Sequence, residues 1–586
     1  MRRLVPLALV LCMLAWAASA QAATGDLTFK DCLAKFATGP CSAVPDEVLE
    51  GARYVAVSPD GRFVYVADYT DSIVVFKRSL ATGAISFASC IDNGGDAGCT
   101  HLPVNTLQAP RRLAFSPDGA SLYVAAETSD AIVRLSVAAD GSLSFASCVE
   151  DDDLFDSGCG QKAGTLDGPT RVVVSPDGKS VYSVSNDYSL NHFSAALAPQ
   201  SCYREVTVSG CSTQAQPLQA ASGLAISPDG KFLYVTSVGR DAIAWFKREE
   251  GGTLSFVACT DDGDVAEFTT NCTEDTGVDY NFLNHITLSP DGSSAYVTDE
   301  TGLGAVYHFS RDALTGALTR KDCFADDLNV DAPGCTELDE STGTGLSSVT
   351  DAVVSPDAAN LYTVAFQDSA LSTFGLASPS GTMSFIRCLR ANEFQGCAGF
   401  GPSVLDGPFG VDVSPDGHDV YVANGSGVPA LLHFEREAPG TRPGEEGEEP
   451  EEPGPEEPGP GTGTGSGGSG SGSTSPPNSR PTPSPSPNTP GPVVKCGGFK
   501  ATKVGTARAD TIKGTPKKDV IAAGAGNDKV SALGGKDIVC GEGGNDQLGG
   551  GPGDDLLLGG PGRDTLLGNG GVDRFVGGPG RDSVKQ

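Results

Sequence analysis

Seven times between residues 52 and 436, a short apolar run meets a polar turn and a second apolar run follows. The turns carry Ser-Pro-Asp at 58–60, 116–118, 175–177, 227–229, 289–291, 355–357 and 414–416. Glycine follows each triplet except at Ala358. Proline presets φ, and Asp and Gly tolerate the remaining turn positions, so each copy predicts a tight turn between two β-strands.

The apolar runs that follow each turn also share residue types at fixed positions, which we call columns. The second run carries a tyrosine, namely Tyr65, Tyr123, Tyr182, Tyr234, Tyr296, Tyr362 and Tyr421. A third run ends near a Phe or Leu, and most repeats then show a glycine turn and a fourth short run. Four short strands per repeat predict an all-β fold in which each repeat is one blade of a seven-bladed propeller.

The two ends of this region complement each other. Residues 27–31 resemble only the fourth strand of a repeat, and residues 408–436 contain only the first three. We expect the N-terminal strand to complete the last blade, because an open ring would leave exposed strand edges.

A different period governs the C-terminus, where aspartate recurs every ninth residue. The aspartates are Asp510, Asp519, Asp528, Asp537, Asp546, Asp555, Asp564, Asp573 and Asp582. An apolar residue follows two positions after each one, from Ile512 to Val584. Glycine stands two positions before the last seven, at Gly526, Gly535, Gly544, Gly553, Gly562, Gly571 and Gly580.

Composition divides the chain into four regions. Residues 1–22 carry two arginines and a short apolar run with small residues at 18–22, which predicts a signal peptide. Residues 23–436 form the propeller region, and residues 494–586 hold the nine-residue repeat. Residues 437–493 are almost entirely Pro, Gly, Ser, Thr and Glu, so we expect a disordered linker there. No later apolar run is long enough to span a membrane.

Net charge and cysteine content indicate which partners and which redox compartment suit the chain. The chain has 40 Lys and Arg against 74 Asp and Glu, a net charge of −34. This balance argues against nucleic acid as a partner, because phosphate binding needs a basic face. Sixteen cysteines remain after the signal peptide, and an exported chain is expected to oxidise them.

Each fourth strand runs into a cysteine, and a second cysteine follows 9 to 13 positions later. Local pairing predicts the disulfides Cys32–Cys41, Cys90–Cys99, Cys148–Cys159, Cys202–Cys211, Cys259–Cys272, Cys323–Cys335 and Cys388–Cys397. Pairing between neighbouring blades is the alternative that the spacing leaves open. Cys496 and Cys540 remain as an eighth pair in the C-terminal region.

The pattern Ser-Pro-Asp-Gly-x-x-x-Tyr-Val resembles the YVTN-type propeller repeat and is similar to the seven-bladed lactonase family. The resemblance covers about residues 27–436. Its motif consists of turn and core residues, so it implies a fold more than an activity.

The nine-residue repeat resembles the RTX, or hemolysin-type, calcium-binding repeat over about residues 505–586. That resemblance implies a parallel β-roll that binds Ca²⁺ and in which two repeats make one turn. Loops 18 residues apart then share an ion, with Asp528 and Asp546 as the first pair and Asp564 and Asp582 as the last, giving up to five sites. We expect the first two repeats to form a cap in which Arg508, Lys517 and Lys518 take the place of an ion.

The first strand of each blade lines the central channel of a propeller, so we expect a functional site of this region to lie there. Four positions before each Ser-Pro-Asp serine, the residue type varies, and Arg112, Arg171, His285 and Asp351 stand in this column. They are candidates to bind an anionic ligand and to supply a general base at the channel mouth. Alternation points His192, His308 and His433 away from the core Phe, so we expect them at the surface.

Two functions are compatible with these patterns. We favour a secreted, extracellular or cell-surface protein that binds calcium and whose propeller is a binding platform for an unidentified protein, glycan or small molecule. The alternative is a lactonase-like hydrolase that acts on a sugar-acid lactone.

Overall fold

A computed structural model describes residues 25–437 and 495–585. Within these ranges it leaves out 37–39, 46–47, 95–97, 105, 152–157, 187, 205–210, 214–217, 263–271, 276–277, 279, 281, 301–303, 327–333, 339–344, 392–396, 400–403, 497–498, 507, 554, 561, 572 and 577–582. The predicted signal peptide and all of the predicted linker except Glu437 lie outside the described residues. The chain divides into two compact units, Met1–Gly444 and Glu445–Gln586.

The first unit is a ring of seven five-stranded sheets, which confirms the predicted propeller. Two strands precede the first complete blade: β1 (Leu27–Ala34) and β2 (Ser42–Ala43). Blade one contains β3 (Ala52–Val57), β4 (Phe63–Asp68), β5 (Ser72–Arg78), β6 (Ile85–Asp92) and β7 (Thr100–His101). Blade two contains β8 (Pro110–Phe115), β9 (Ser121–Ala126), β10 (Ala131–Val137), β11 (Leu143–Glu150) and β12 (Gln161–Lys162). Blade three contains β13 (Pro169–Val174), β14 (Ser180–Ser185), β15 (Ser189–Ser194), β16 (Pro199–Arg204) and β17 (Ser212–Thr213).

Blades four to seven continue in the same order. Their strands are β18 (Ala221–Ile226), β19 (Phe232–Ser237), β20 (Ala242–Arg248), β21 (Leu254–Asp261), β22 (Cys272–Glu274); β23 (Leu283–Leu288), β24 (Ser294–Asp299), β25 (Ala305–Arg311), β26 (Leu318–Asp326), β27 (Thr336–Leu338); β28 (Val349–Val354), β29 (Asn360–Ala365), β30 (Ala370–Leu376), β31 (Met383–Arg390), β32 (Ala398–Gly399); β33 (Pro408–Val413), β34 (Asp419–Asn424) and β35 (Ala430–Arg436).

The ring closes as the sequence predicts. Strand β1 pairs antiparallel with β35, placing Phe29 opposite Phe434, so the first strand of the chain completes the seventh blade. This pairing satisfies the edge that β35 would otherwise expose.

Each blade also has a fifth strand that the sequence did not predict. It is two or three residues long and runs parallel to the fourth strand, as Cys272 opposite Cys259 shows. The seven local disulfides pair the cysteines that the spacing suggested, and an eighth joins Cys496 to Cys540. Each local disulfide therefore fastens the connection that leads from one blade to the next.

The tyrosine column joins neighbouring blades. Every one of the seven hydroxyl groups donates a hydrogen bond to a backbone carbonyl in the next blade, over 2.5–3.0 Å. Six of these carbonyls lie in the turn between the third and fourth strands, and the seventh belongs to Gly25, just before β1. Tyr421 closes the circle by donating to the carbonyl of Gly83 in the first blade. All seven tyrosines are buried, so losing one such bond would leave a polar group without water.

The prediction that His192, His308 and His433 lie at the surface is wrong. All three are buried, and each stacks on the tyrosine of its own blade at 4.9–5.1 Å between ring centres. Alternation separates the two faces of a strand, but a propeller blade is packed against a neighbour on both faces. The side opposite the core Phe is therefore interior as well.

The second unit is a parallel β-roll with two sheets. A short hairpin precedes it, formed by β36 (Lys495–Cys496) and β37 (Phe499–Lys500). One sheet contains β38 (Lys503–Val504), β40 (Val520–Ala522), β42 (Ile538–Cys540), β44 (Leu556–Leu558) and β46 (Arg574–Val576); the other contains β39 (Thr511–Thr515), β41 (Lys529–Leu533), β43 (Gln547–Pro552), β45 (Thr565–Gly570) and β47 (Ser583–Lys585).

The roll has a register of 18 residues, because Val530 lies opposite Leu548 and Val520 lies opposite Ile538. The apolar residues two positions after the aspartates fill the interior, as predicted, from Ile512 through Leu566 to Phe575. Val584 is the exception and is half exposed. The described residues form no helix, and so none that is long and apolar enough to cross a membrane.

The seventh blade should make the stability of the propeller depend on pH. Burial lowers the pKa of His433, but the carboxylates of Asp31 and Asp419 outweigh burial and raise that pKa above its usual value. The stabilisation is complete below the unfolded-state pKa of about 6.5 and is lost as pH rises through the folded-state pKa. We expect the Tm of the full chain to fall across this window.

The variant His433→Gln should remove that dependence in thermal unfolding scans between pH 5 and 9. The matched variant His192→Gln should change the Tm only at acidic pH, because burial and Arg248 lower the pKa of His192 to about 4. His192 therefore costs stability as pH falls from about 6.5 towards 4. Identical profiles for His433→Gln and the parent protein would contradict the assignment.

Candidate functional sites

The aspartates of the roll form two ladders. The backbone N–H of Asp528 donates to Oδ1 of Asp546 at 2.7 Å, and Asp546 N–H donates to Oδ1 of Asp564 at 2.8 Å. On the opposite side, Asp537 N–H donates in the same way to Asp555 at 2.9 Å. The structure thus stacks aspartates 18 residues apart, which is the arrangement that the resemblance implied.

The second carboxylate oxygen of these aspartates, Oδ2, differs from Oδ1 in its surroundings. Asp528, Asp537 and Asp546 are at most 2% exposed, and their Oδ2 atoms have no hydrogen-bond partner in the described part of the protein. Burial and the neighbouring carboxylates of Asp564 and Asp528 raise the pKa of Asp546 to about 6. Buried anionic oxygens without a partner are costly unless a cation neutralises them.

Glycines shape the loops around these oxygens. Gly526, Gly544 and Gly562 have φ values of 136–152°, which residues with a Cβ rarely adopt. A Cβ on Gly544 would lie 1.6 Å from the carbonyl oxygen of Gly526. The carbonyls of successive loops therefore pack where no side chain fits, within the same stack as the aspartates.

These residues fit calcium, a hard cation that takes six to eight oxygen ligands. No cluster of three or more His, Cys, Asp or Glu side chains suited to a metal occurs among the described residues. The aspartates come in stacked pairs, so the glycine-loop carbonyls would have to supply the remaining ligands of a bound ion. Gly571 and Asp573 belong to the last described loop, whereas Gly580 and Asp582 lie outside the described residues.

The predicted cap uses other residues than the sequence suggested. The side chains of Arg508, Lys517 and Lys518 are exposed. The Oδ2 atom of Asp519 instead accepts hydrogen bonds from the N–H and hydroxyl of Thr515, at 2.5 and 2.8 Å. Thr515, a neutral residue that the prediction did not include, therefore supplies the donors to this carboxylate.

The propeller channel is bridged by three of its four candidate residues. Arg112 of the second blade reaches across the ring to Asp351 of the sixth, with Nη1 to Oδ1 at 2.8 Å. His285 Nε2 lies 3.5 Å from the same Asp351 oxygen and donates to the carbonyl of Ala352 at 2.9 Å. Arg171 binds elsewhere, donating to the carbonyls of Ser222 and Asn284.

Several donors and acceptors of this cluster remain open. Arg112 Nε, Arg171 Nη1 and His285 Nδ1 have no hydrogen-bond partner among the described residues. Both guanidinium groups lie near the ring of Tyr54, at 4.1 and 6.0 Å from its centre. Burial lowers the pKa of His285 to about 4, so its imidazole is neutral at pH 7.

Asp412 is a channel residue that the sequence analysis missed. Burial and the neighbouring Asp351 raise its pKa to about 7, although the N–H groups of Val57 and Val413 donate to it. The signal was available two positions before each Ser-Pro-Asp serine. That column holds Ala, Val or Thr in six repeats and a carboxylate only at Asp412.

A second charged layer lies where the first strands begin and the second strands end. Arg111 pairs with Glu127, Nε to Oε2 at 2.6 Å, and Arg53 stacks over Tyr69 and Phe409 at 3.9 and 4.7 Å. Sequence reasoning missed these residues because they stand outside the column that was tested, Arg53 and Arg111 each by one position.

A cavity at the opposite ends of several first strands has no charged residue in its lining. This cavity of about 420 Å³ is lined mainly by the ends of the first strands of blades two to five, including Phe115, Val174, Ile226 and Leu288.

Together, fold and ladders define an all-β protein that joins a seven-bladed propeller to a β-roll of the calcium-binding type. The family described as "Lactonase, 7-bladed beta-propeller" matches residues 19–146 and 164–265. The family described as "RTX calcium-binding nonapeptide repeat (4 copies)" matches residues 504–535, 513–548 and 549–584. The chain thus has a propeller that is similar to the lactonase family over these residues, followed by repeats that match the RTX calcium-binding model.

Solved structures share only a distant likeness with the chain. The periplasmic gluconolactonase of Pseudomonas aeruginosa is 18% identical, over 60% of this chain and 88% of its own, with a TM-score of 0.42. The β-propeller domain of Cps50 from Myceliophteria thermophila is 11% identical, over 66% and 97%, at 0.44. Hydrazine synthase of Kuenenia stuttgartiensis is 16% identical, over 65% and 96%, at 0.40. None of the curated proteins compared with the chain matches it.

The bridge across the channel should contribute to stability. The variant Asp351→Asn leaves the Arg112 guanidinium in the channel without its carboxylate, and breaking a buried pair costs on the order of 3 kcal/mol. We expect this loss in urea unfolding of the full chain. The double variant Arg112→Met/Asp351→Asn should recover part of it, and Asp140→Asn in an exposed turn should change nothing. A double variant no more stable than Asp351→Asn would contradict the pairing.

Proposed function

We propose that this is an extracellular calcium-binding protein in which the roll is the calcium-dependent module and the propeller is a binding platform. The observation that carries the proposal is the stack of buried aspartates, in which Oδ2 of Asp528, Asp537 and Asp546 has no hydrogen-bond partner among the described residues. When bound, calcium supplies positive charge between these carboxylates. The chain's own residues orient Oδ1 through backbone donors and keep Oδ2 out of water.

An extracellular setting agrees with the disulfides and with the metal. Eight disulfides join described cysteines, and such bonds persist in oxidising compartments. Extracellular calcium modules work at calcium concentrations of about 0.1–1 mM, well above those in the cytosol. The predicted signal peptide supports export on independent grounds.

The platform role of the propeller is supported by aromatic residues at one edge of its blades. Tyr69, Tyr188 and Phe282 are 38–45% exposed, and all three stand where second strands end or first strands begin. The charged layer that contains Arg53 and Glu127 lies at the same edge. Exposed aromatics beside arginines are typical of surfaces that bind a protein or glycan partner.

The calcium assignment predicts a calcium-dependent change confined to the roll. In hydrogen exchange of the full chain, calcium added after EGTA treatment should slow exchange within residues 529–570 and leave the propeller unchanged. Asp546→Asn should weaken calcium binding about tenfold or more, because Asp546 belongs to two stacked pairs. Asp140→Asn removes the same charge from an exposed propeller turn and should bind as the parent does. No response to calcium anywhere in the roll would falsify the assignment.

A lactonase-like hydrolase is the second candidate, and the His285 tautomer favours it. A carbonyl can only accept, so the hydrogen bond to Ala352 places the proton on Nε2 and leaves a lone pair on Nδ1. That atom can take a proton from water as the water oxygen attacks a lactone carbonyl. Arg171 Nη1 is an available donor for the developing oxyanion. The ring C–O bond then breaks, and its oxygen receives the proton.

This alternative predicts hydrolysis of a sugar-acid lactone such as gluconolactone. A pH-indicator assay at pH 7 should show turnover above the spontaneous rate, and His285→Gln should reduce kcat about 100-fold or more. His192→Gln removes a buried histidine outside the channel and serves as the matched control. Turnover that is equal in both variants, or absent in the parent, would leave the platform as the role of the propeller.

A further inference from the structure

The first two loops of the roll differ in backbone from those that follow. In six later loops, the residue four positions before the aspartate has a φ of 66–114°, and the glycine two positions before it has a φ of 128–152°. We call these the calcium-type loops; they end at Asp528, Asp537, Asp546, Asp555, Asp564 and Asp573. The loops that end at Asp510 and Asp519, here called the cap loops, contain no described residue with positive φ.

Threonine explains the difference. Thr506 and Thr515 stand four positions before Asp510 and Asp519, where later loops have Gly, Leu, Glu or Asn. A β-branched residue strongly disfavours the left-handed region. The cap loops therefore cannot readily take the calcium-type conformation.

The same threonines satisfy the oxygen that calcium would neutralise. Thr506 donates from its N–H and hydroxyl to Oδ2 of Asp510 at 2.6 and 2.8 Å, and Thr515 does the same for Asp519. In the calcium-type loops of Asp528, Asp537 and Asp546, that oxygen has no partner among the described residues. The aspartate Oδ2 is therefore bonded to threonine in the cap loops, and in these three calcium-type loops it has no described partner.

The first turn has further support of its own. The Thr502 hydroxyl donates to the carbonyl of Val520 and accepts from its N–H, both at 3.0 Å. The Cys496–Cys540 disulfide holds the preceding hairpin against the outer face that contains Val520 and Ile538. Neither contact involves a carboxylate.

We propose that residues 503–523 form a calcium-independent cap, in which Thr506 and Thr515 take the place of the ion, and that calcium orders only the turns that follow. This proposal rests on the proposed calcium function and adds where the metal array begins. The N–H groups of Asp510 and Asp519 donate to Oδ1 of Asp528 and Asp537 at 2.7 Å. The cap therefore presents a folded edge on which the first calcium-type loops are aligned.

Peptide-resolved hydrogen exchange of the full chain, in EGTA and at stepwise calcium concentrations, tests the cap. In the parent protein we expect residues 503–523 to be protected in EGTA and residues 541–570 to become protected only with calcium. The double variant Thr506→Val/Thr515→Val keeps the β-branched shape but removes both hydroxyls. It should speed exchange of 503–523 in EGTA about tenfold and raise the calcium midpoint of the later turns several-fold.

Thr511→Val is the matched control, because Thr511 is exposed in the same turn. It should behave as the parent protein does. The calcium stoichiometry of the parent, measured by titration calorimetry, gives a second readout. It should not exceed five, since the pairs 510/528 and 519/537 hold no ion.

The outcomes separate the two proposals. If calcium protects no part of the roll, the calcium function fails, and residues 503–523 can still be folded. If calcium protects the later turns but residues 503–523 exchange freely in EGTA, the cap is overturned while the calcium function stands. A double variant that matches Thr511→Val, or a stoichiometry of six or seven, overturns the role of the threonines.

Discussion

Both units depend on one kind of interaction, in which a side chain of one repeat forms a hydrogen bond with the backbone of a neighbouring repeat. In the propeller, a tyrosine hydroxyl donates to a turn carbonyl of the neighbouring blade, as Tyr65 does to Gly141. In the roll, an aspartate oxygen accepts an N–H from the preceding turn, as Asp546 does from Asp528. Backbone groups are present at every repeat, so a single side-chain column suffices to fix the register of the whole array.

The channel and the ladders place buried charge in opposite situations. Across the channel, Arg112 and Asp351 neutralise each other and tie blades on opposite sides of the ring. In the ladders, carboxylates such as Asp528 and Asp546 stack on one another, and the described protein offers no cation to them. The first arrangement pairs opposite charges within the protein chain, whereas the second, under the proposed calcium function, would take its positive charge from solution. The two sites can therefore respond to different conditions.

The periodic features could be predicted from sequence because period and register are properties of spacing alone. The Ser-Pro-Asp turns, the tyrosine column and the nine-residue aspartate interval specified blades, closure and roll interior. Spacing says nothing about which face of a blade is covered, so the buried His433 was missed. Spacing also could not show that Arg112 reaches across the ring to Asp351, because the two residues are 239 positions apart in the sequence. The role of Thr515 was not predicted because the nine-residue repeats were compared only at their glycine positions.

Closure by β1 has a consequence for molecules that lose their N-terminus. The first strand of the propeller pairs with the last, and Gly25 and Asp26 also receive bonds from Tyr362 and Glu437. Proteolytic trimming past residue 34 would leave β35 with an unpaired edge. The β1 segment of an intact copy has the complementary pattern, so damaged molecules can acquire it by strand exchange and form linked dimers or chains. An intact β1 therefore keeps the edge of β35 covered.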